Sequence, residues 1–405
     1  MLQLRHMAQN ASAALVPAGH ALKIPWVRLR SAASGPRVFK RMILNAAPGA
    51  KAGDIVAVYD KSDAPYGVAV YNPRNVVALR LLTRGVGAFD TEAFFAEKIS
   101  QAVEFRRQTL RLDESTEAYR LVHDQGDGLP GLVVDRYGDY LVLEFYSLGM
   151  FRQAGLLERL LKDHFPSARF VRRASDHAQS MEGFRIPSGP DLKARIRENG
   201  VLFEVTPSGG YKTGFFCDQR DNRLAAAALT ADRRVMDVCA YTGGFGIYAA
   251  KLGAARETTC VELDPEAHAL IRKNANVNGV RVDAVCADAF PYLRQMSANS
   301  RRYGLIVLDP YKLIATKDGE RLGRQKYLDL NRLAFSLLEP GGILLTCSCS
   351  GLLPWADFQQ IARTAAGSAG RRVQIFRKSG AGADHPFAAD FPEGEYLKAL
   401  WCRAA

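Results

Sequence analysis

The segment Val235-Met-Asp-Val-Cys-Ala-Tyr-Thr-Gly-Gly-Phe-Gly246 fits three structural statements into twelve residues. A short apolar run closes on an acid, a small-residue turn follows, and a helix is predicted over 244–252. A strand, a tight loop and a helix N-terminus make a place for a nucleotide-like ligand at the carboxyl end of a parallel strand. The glycine pair lets backbone approach such a ligand closely. Residues 258–264 (Thr-Thr-Cys-Val-Glu-Leu-Asp) read as the next strand. An acid at the end of a second strand can accept from a ribose hydroxyl pair. Asp264-Pro265-Glu266 then opens a helix with a capping acid and proline at the first helical position. That helix is predicted to end at Asn276–Gly279.

A third acid, Asp288, and a fourth strand over 305–308 ending in Asp309-Pro310 complete the series. The loop after the first strand lacks Gly-x-Gly-x-x-Gly, which argues against a dinucleotide. Asp237, Glu262, Asp288 and Asp309, spaced over four strand ends, resemble the class I S-adenosylmethionine (SAM) methyltransferases. Another Rossmann-like enzyme is the alternative.

The chain has 405 residues, enough for two or three domains, and 48% hydrophobic residues, enough for real cores. No apolar run reaches a membrane span, so no membrane partner is expected. All seven cysteines lie after residue 216 and none forms a C-x-x-C pair. A secreted disulfide framework and structural zinc are not expected; reduced thiols and a cytoplasmic location are. The net charge of +12 suits a polyanionic partner. Residues 1–53 carry eight Lys or Arg and no acid. An organellar transit peptide and a basic nucleic-acid-binding face both fit that composition; early strand-like patterning favours the second.

Four parts are expected: a flexible extension (1–20), a small β-barrel (21–86), a central α+β domain (87–200) and an α/β domain (201–405). In the barrel region, Gly53-Asp-x-Val-x-Val, Gly67-x-x-x-Tyr-Asn-Pro and Val77-x-Leu-Arg-Leu-Leu resemble a PUA domain, an RNA-binding module. Arg28, Arg30, Arg37, Lys40 and Arg41 favour RNA over a barrel used only for packing. Residues 88–112 read as an amphipathic helix. Arg169, Arg172, Arg173 and Arg185 suit a solvated face or RNA phosphates equally. The stretch Gly209–Arg223, with Lys212, Phe215, Asp218, Gln219 and Arg220, has the composition of a loop that covers a ligand. A helix cap with ordinary salt bridges is the plainer reading.

Lys212-Thr-Gly-Phe-Phe-x-Asp-Gln-Arg-x-Asn-Arg223, Tyr241-Thr-Gly-Gly-Phe245 and Ser348-Cys-Ser-Gly351, behind a PUA-like region, resemble the 23S rRNA cytosine-C5 methyltransferases of the RlmI type. The central Asp127-Gly-Leu-Pro-Gly-Leu-Val-Val-Asp-Arg-Tyr-Gly-Asp139 and the tail, Ala383-Asp-His-Pro386 with Phe391-Pro-Glu-Gly-Glu-Tyr-Leu-Lys398, are similar to that family too. The resemblance covers nearly everything after residue 20. It implies a Rossmann-like class I methyltransferase domain behind a PUA-like barrel and a small central α+β domain. SAM is the implied cofactor and large-subunit rRNA the implied partner. A homodimer is allowed, and no metal is expected.

Cytosine C5 is too weak a nucleophile to attack a methyl sulfonium unaided. A thiolate that adds to C6 makes C5 enamine-like; methyl transfer, loss of the C5 proton and elimination follow. Cys347 and Cys349 lie two apart beyond a strand predicted over 343–346, so spacing alone does not choose between them. Small buried hydrophobes are the plain alternative for both. The family motif maps onto Cys349 as nucleophile, with Cys347 nearer the strand core. Asp309 is then the candidate to contact the N3/N4 edge of the base or to help proton transfer. The resemblance gives Glu262 the ribose hydroxyls and Asp288 the adenine amino group. It places Tyr241, Thr242 and Gly243 along the methionine part with Asp237 close by, and Phe215, Asp218, Gln219 and Arg220 closing over it. The family's Asp-Pro-Pro-Lys loop reads Asp309-Pro-Tyr-Lys312 here, so a stiffening proline is replaced by a ring that can stack on a base. That loop keeps an RNA base N-methyltransferase as an alternative. A catalytically silent SAM- and RNA-binding assembly factor is another.

Overall fold

The computed structural model describes residues 17, 19–20, 22–85, 87–187, 189–209 and 214–405. The expected extension at the N-terminus falls almost wholly outside these residues. So does Lys212 with its neighbours in the loop.

The first sheet has six strands: β1 (Trp26–Leu29), β2 (Arg37–Phe39), β3 (Ile43–Ala46), β4 (Ile55–Tyr59), β5 (Pro65–Tyr71) and β6 (Val77–Arg84). Their order is β2-β6-β5-β4-β1-β3, with β1 parallel to β4 and every other pair antiparallel. β4 is buried along its whole length because it faces two cores. Val56 and Val58 meet Val27, Leu29, Leu79 and Leu81 inside the sheet's own core. Ile55, with Val68, Val70 and Leu82, packs instead into the core of the next unit. The period-2 alternation that sends successive side chains to opposite faces thus joins the two units.

That second unit is a four-stranded sheet, β7 (Ala118–His123), β8 (Leu132–Tyr137), β9 (Tyr140–Phe145) and β10 (Arg169–Arg173), in the order β10-β9-β8-β7. The amphipathic helix predicted over 88–112 is an α-helix at Thr91–Glu104 followed by a π-turn at Phe105–Thr109. Phe94, Phe95, Ile99 and Val103 of its apolar stripe pack on the sheet beside Leu157 and Leu161 of the helix Ala154–His164. A buried carboxylate fastens this unit to the first. Glu182 accepts from Asn72 Nδ2 (2.7 Å), Asn75 Nδ2 (2.6 Å), Arg80 Nη2 (2.8 Å) and the Leu148 N–H (3.1 Å).

The hairpin β11 (Ala194–Glu198) and β12 (Val201–Val205) follows. It turns through Asn199-Gly200, both at positive φ, the geometry of a type I′ connection. The hairpin therefore runs across residue 200, where the central and α/β parts were expected to divide. It docks forwards: Asn274 and Asn278 side-chain carbonyls accept from the Glu204 and Leu202 N–H groups.

The last sheet has seven strands: β12 is followed by β13 (Arg234–Val238), β14 (Glu257–Glu262), β15 (Asp283–Cys286), β16 (Tyr303–Leu308), β17 (Leu338–Ser348), β18 (Val373–Ser379) and β19 (Lys398–Ala404). The order is β15-β14-β13-β16-β17-β19-β18, parallel except for β19. The chain moves outward from β13 in one direction, then returns to its other side at β16. A crevice opens at the carboxyl ends of strands at such a switch point.

Glu182 lies 1% exposed with charged and amide partners that are themselves largely shielded. Replacing it with alanine strands those donors. Glu182→Ala should destabilise the protein by about 3–5 kcal/mol, seen as a lower thermal midpoint by circular dichroism. Substitution of the exposed Glu97 on the helix Thr91–Glu104 should have little effect.

Candidate active site

The crevice is a cavity of about 1090 Å³ at the ends of β13, β14 and β16. Its first wall is the loop after β13. Cys239, Tyr241 and Gly243 have φ of +61°, +51° and +83°, so three of five consecutive residues are left-handed. Such backbone is unfavourable for the two that carry Cβ and persists only where the surroundings over-determine it. The Tyr241 N–H donates to Glu262 Oε2 (2.7 Å), and the Tyr241 ring meets Phe216 edge-on at 4.9 Å. The helix Gly244–Lys251 begins so close to the sheet that a Cβ on Gly246 would lie 2.2 Å from Cys260 Sγ. That approach lets the Gly246 N–H reach Asp237 Oδ2 at 2.9 Å.

Asp237 is 1% exposed, and its other oxygen, Oδ1, is buried with no hydrogen-bond partner. Burial raises its carboxyl to about 7, against the pull of the Gly246 N–H and with help from Asp309 and Glu262. Glu262 is held rigidly: Oε1 accepts from the Leu263 and Asp264 N–H groups (2.8 and 2.9 Å), leaving acceptor capacity on Oε2 beyond the Tyr241 bond. Asp288 caps the helix Ala289–Ala298 through the Phe290 N–H. Asp218, Asp264, Glu266 and Asp309 also line the cavity. The only cation among the described lining residues is Arg223, which is committed to Glu198 through a bidentate pair at 2.9 Å each. The cavity is therefore acidic and favours a ligand with positive charge and donor groups. SAM carries such groups, a sulfonium, an amino group and two ribose hydroxyls, and the residues present fit it.

Of the residues named from the sequence, Phe215, Asp218, Gln219, Asp237, Tyr241, Thr242, Glu262, Asp288, Asp309 and Cys349 line this one cavity. Two expected cofactor residues do not. Arg220 is 3% exposed and turned away, its Nη1 and Nη2 on Asp384 at 3.2 and 2.8 Å. Gly243 sits behind the wall, where its left-handed backbone caps the helix and a Cβ would press on Ile247 and Ile271. Both shape the site from outside it.

The two cysteines separate clearly. Cys347 is wholly buried beside Leu345 and Trp401, and burial pushes its thiol well above the ordinary range. Cys349 lies one step beyond β17, partly exposed, on the cavity wall. Its flanking serines point the other way: Ser348 Oγ donates to Tyr327 Oη (2.9 Å), and Ser350 Oγ lies 3.1 Å from the same hydroxyl. Tyr327 thereby fixes the turn that presents Cys349. Across the cavity, Gln219 Nε2 donates to Asp309 Oδ2 at 2.9 Å. Gln219 Oε1 in turn accepts from Asn222 Nδ2 (2.7 Å), Asn222 Oδ1 accepts from Ser379 Oγ (2.7 Å), and Ser379 Oγ accepts from Trp401 Nε1 (2.8 Å).

The tail residues that close the site carry no local signature. Tyr396 Oη donates to Asp218 Oδ2 from 178 residues away, and Asp384 grips Arg220 from 164. Their presence in a run similar to a known family is the one sequence signal that marks them. Among the described residues no group of three or more His, Cys, Asp or Glu is arranged to hold a metal. No described helix is long and apolar enough to cross a membrane.

Comparison with known proteins agrees with this geometry. Residues 182–369 match the model of an S-adenosylmethionine-dependent methyltransferase family, and residues 32–84 that of a PUA-like domain. Among solved structures, a SAM-dependent methyltransferase from Streptococcus mutans superposes with a TM-score of 0.76 at 19% identity, covering 91% of this chain and 96% of that one. A structure of SMU.776 with SAH, also described as a methyltransferase, gives a TM-score of 0.77 at 19% identity over 91% of this chain and 95% of that one. These two share the fold.

At neutral pH an ionised Asp237 is strained by burial until a donor arrives. Its folded carboxyl lies above the unfolded value, so it makes the free protein less stable as pH rises from about 4 towards 7. Asp237→Asn should raise the thermal midpoint of the free protein at pH 8. It should also weaken SAM binding at least tenfold by calorimetry and abolish the loss of affinity expected of the parent as pH falls through about 7.

The ribosomal RNA large subunit methyltransferase I of Klebsiella pneumoniae is 34% identical to this chain over 91% of its length and 94% of the relative's. That of Aeromonas hydrophila is 37% identical over 91% and 95%, and the chain belongs to this methyltransferase family.

Proposed function

We propose that this protein forms 5-methylcytosine in large-subunit ribosomal RNA, using SAM, through a covalent adduct between Cys349 and C6 of the base. The single observation that carries this reading is the position of Cys349. A partly exposed thiol shares one cavity with the acids suited to SAM and with Asp309. Methylation of a ring nitrogen or an exocyclic amine has no use for a thiol there.

Bound SAM supplies an electrophilic methyl carbon. The chain's own groups do the rest. The Cys349 thiolate adds to C6, breaking the C5–C6 double bond and placing electron density on C5. Once C5 carries the new methyl, its proton passes to Asp309 or water, the C–H electron pair re-forms the C5–C6 double bond, and the C6–S bond breaks to return the thiolate. Asp309, turned into the cavity by Gln219, meets the N3/N4 edge of the cytosine. Asp237, Glu262 and Asp288 hold the amino, ribose and adenine groups of the cofactor. Tyr396 and Phe216 brace Asp218 and Tyr241 around it.

The barrel is the RNA grip in this reading. Arg30, Lys40 and Arg41 are exposed, and the Arg41 guanidinium lies 5.8 Å from the ring of Phe39, itself 40% exposed. Arg28 is committed to Asp63 at 2.6 Å and offers less to a phosphate. In the central unit Arg172 is held by Glu158 through two 2.6 Å bonds, and Arg173 Nη1 donates to the Gly209 carbonyl. This arrangement supports the solvated-face reading for that pair. A ribosomal RNA substrate supports a cytoplasmic location.

Cys349→Ala should abolish transfer of methyl from labelled SAM to rRNA, while Cys347→Ala retains most of it. An RNA carrying 5-fluorocytosine cannot lose fluorine as a proton is lost. It should form an SDS-resistant adduct with the parent and none with Cys349→Ala; an adduct that survives in that variant defeats the mechanism.

Tyr311 is 68% exposed at the mouth of the same cavity. Base stacking on a ring contributes about 1–3 kcal/mol. Tyr311→Ala should raise KM for RNA about tenfold or more with kcat changed far less, and Tyr311→Phe should restore it.

A further inference from the structure

Gln219 ends a single 3-10 turn, Cys217–Gln219, and its buried amide is engaged on both sides. Nε2 donates to Asp309 Oδ2 at 2.9 Å, and Oε1 accepts from Asn222 Nδ2 at 2.7 Å. Asn222 is buried in the helix Arg220–Ala227. Its Nδ2 also donates, at 3.1 Å, to the carbonyl of Gly380, the residue that follows β18. Its Oδ1 accepts from Ser379 Oγ at 2.7 Å, and Ser379 Oγ accepts from the indole Nε1 of Trp401, on β19, at 2.8 Å. Gln219 also bonds the Cys347 thiol of β17.

Two groups that cannot reverse set the direction of every bond in this series. The Trp401 indole N–H only donates, so Ser379 Oγ accepts there and gives its own hydrogen to Asn222 Oδ1. The Gly380 carbonyl only accepts, so the Asn222 atom beside it is nitrogen. A nitrogen there requires the oxygen of Gln219 opposite it, which leaves the amide nitrogen of Gln219 facing Asp309. We infer that Gln219, its polarity imposed from Trp401 through Ser379 and Asn222, is a positioning residue that holds Asp309 as a hydrogen-bond acceptor towards the base. The inference rests on the reading of Asp309 as the group that meets the cytosine. It gives Gln219 a different task from covering the cofactor.

Both tasks of Asp309 need an acceptor. The N4 amino group of cytosine is a donor, and the C5 proton needs an oxygen able to take it. A reversed Gln219 amide would set its own oxygen against Asp309, a contact that only a protonated carboxyl could meet. A carboxyl that donates suits O4 of uracil rather than N4 of cytosine. No proton moves along the series; each group keeps its own hydrogens and supplies orientation. Hydrogen bonds in series polarise one another, so a break at the far end is felt at Asp309. That far end is remote in sequence, since Ser379 lies 157 residues from Asn222. Residues of β18 and β19 thereby govern the polarity of a group at the end of β16, although neither strand pairs with β16.

The test is a double-mutant cycle in steady-state methyl transfer from labelled SAM to rRNA by the full-length protein. Gln219→Met removes the amide and keeps a side chain of similar size. Its kcat should fall about ten- to a hundredfold. KM for RNA and the calorimetric Kd for SAM should stay within about twofold of the parent. Gln219→Glu still accepts from Asn222 but offers Asp309 no N–H, and should lose at least as much. Ser379→Ala cuts the series at a partly exposed position, and kcat should fall about threefold or more. In the Gln219→Met background the same change should have no further effect. Trp401→Phe should behave as Ser379→Ala does. A Gln219→Met kcat near the parental value overturns the inference, and so does a loss of SAM affinity that accounts for the whole effect. A Ser379→Ala loss undiminished in the Gln219→Met background also overturns it. Should Gln219→Met fail to fold, parental kcat in Ser379→Ala and Trp401→Phe overturns it. Asp309→Asn separates the two readings. Full activity there defeats the assignment of Asp309 itself, whereas lost activity there beside a normal Gln219→Met defeats this inference alone.

Discussion

The buried carboxylate of Asp384 holds the whole assembly in register. It accepts both ends of the Arg220 guanidinium and the Arg120 N–H at 2.9 Å. The Asp384 carbonyl accepts from Arg106 Nη2 at 2.7 Å. Burial alone would raise this carboxyl, but His385 and Arg220 hold it well below the ordinary range. Three parts of the chain meet there: the β7 strand of the central unit, the helix before β13, and the C-terminal tail. Removing one member of such a buried set leaves the others charged and unpaired, at about 3–5 kcal/mol. The network widens through Arg106–Asp127 and the Arg120–Asp135 bidentate pair. Among these groups His123 is kept neutral, since burial and the neighbouring Arg120 push its imidazole well below the usual value.

This network explains how the cavity gets its second wall. The helix Arg220–Ala227 cannot place itself, because it has only eight residues and no side-chain cap at its start. Arg220 pins its first turn to the tail, and Arg223 pins its next to Glu198 of the hairpin. Gln219, immediately before, is then delivered to Asp309. Phe215 packs on Phe203 of β12 at 5.0 Å, and the Arg223 guanidinium lies 4.7 Å from the same ring. The central unit thus serves as a buttress for the site, whatever else it contacts.

The part of the site built by β13, β14 and β16 could be read from the sequence because each piece is local. An apolar run, an acid and a glycine turn lie within a dozen residues, and the helix cap at Asp264-Pro265 is where the motif puts it. The barrel strands were legible for the same reason. What could not be read is pairing across long separations. Nothing near Arg220 says that it turns from the cavity towards a carboxylate 164 residues on. Nothing near residue 200 says that the chain folds back as a hairpin there, except the Asn-Gly pair. The two cysteines were ambiguous for a different reason. Their spacing puts them on one side of an ideal strand, but β17 ends between them at Ser348. The tether of both serines to Tyr327 then turns Cys349 out into the cavity while Cys347 stays in the sheet.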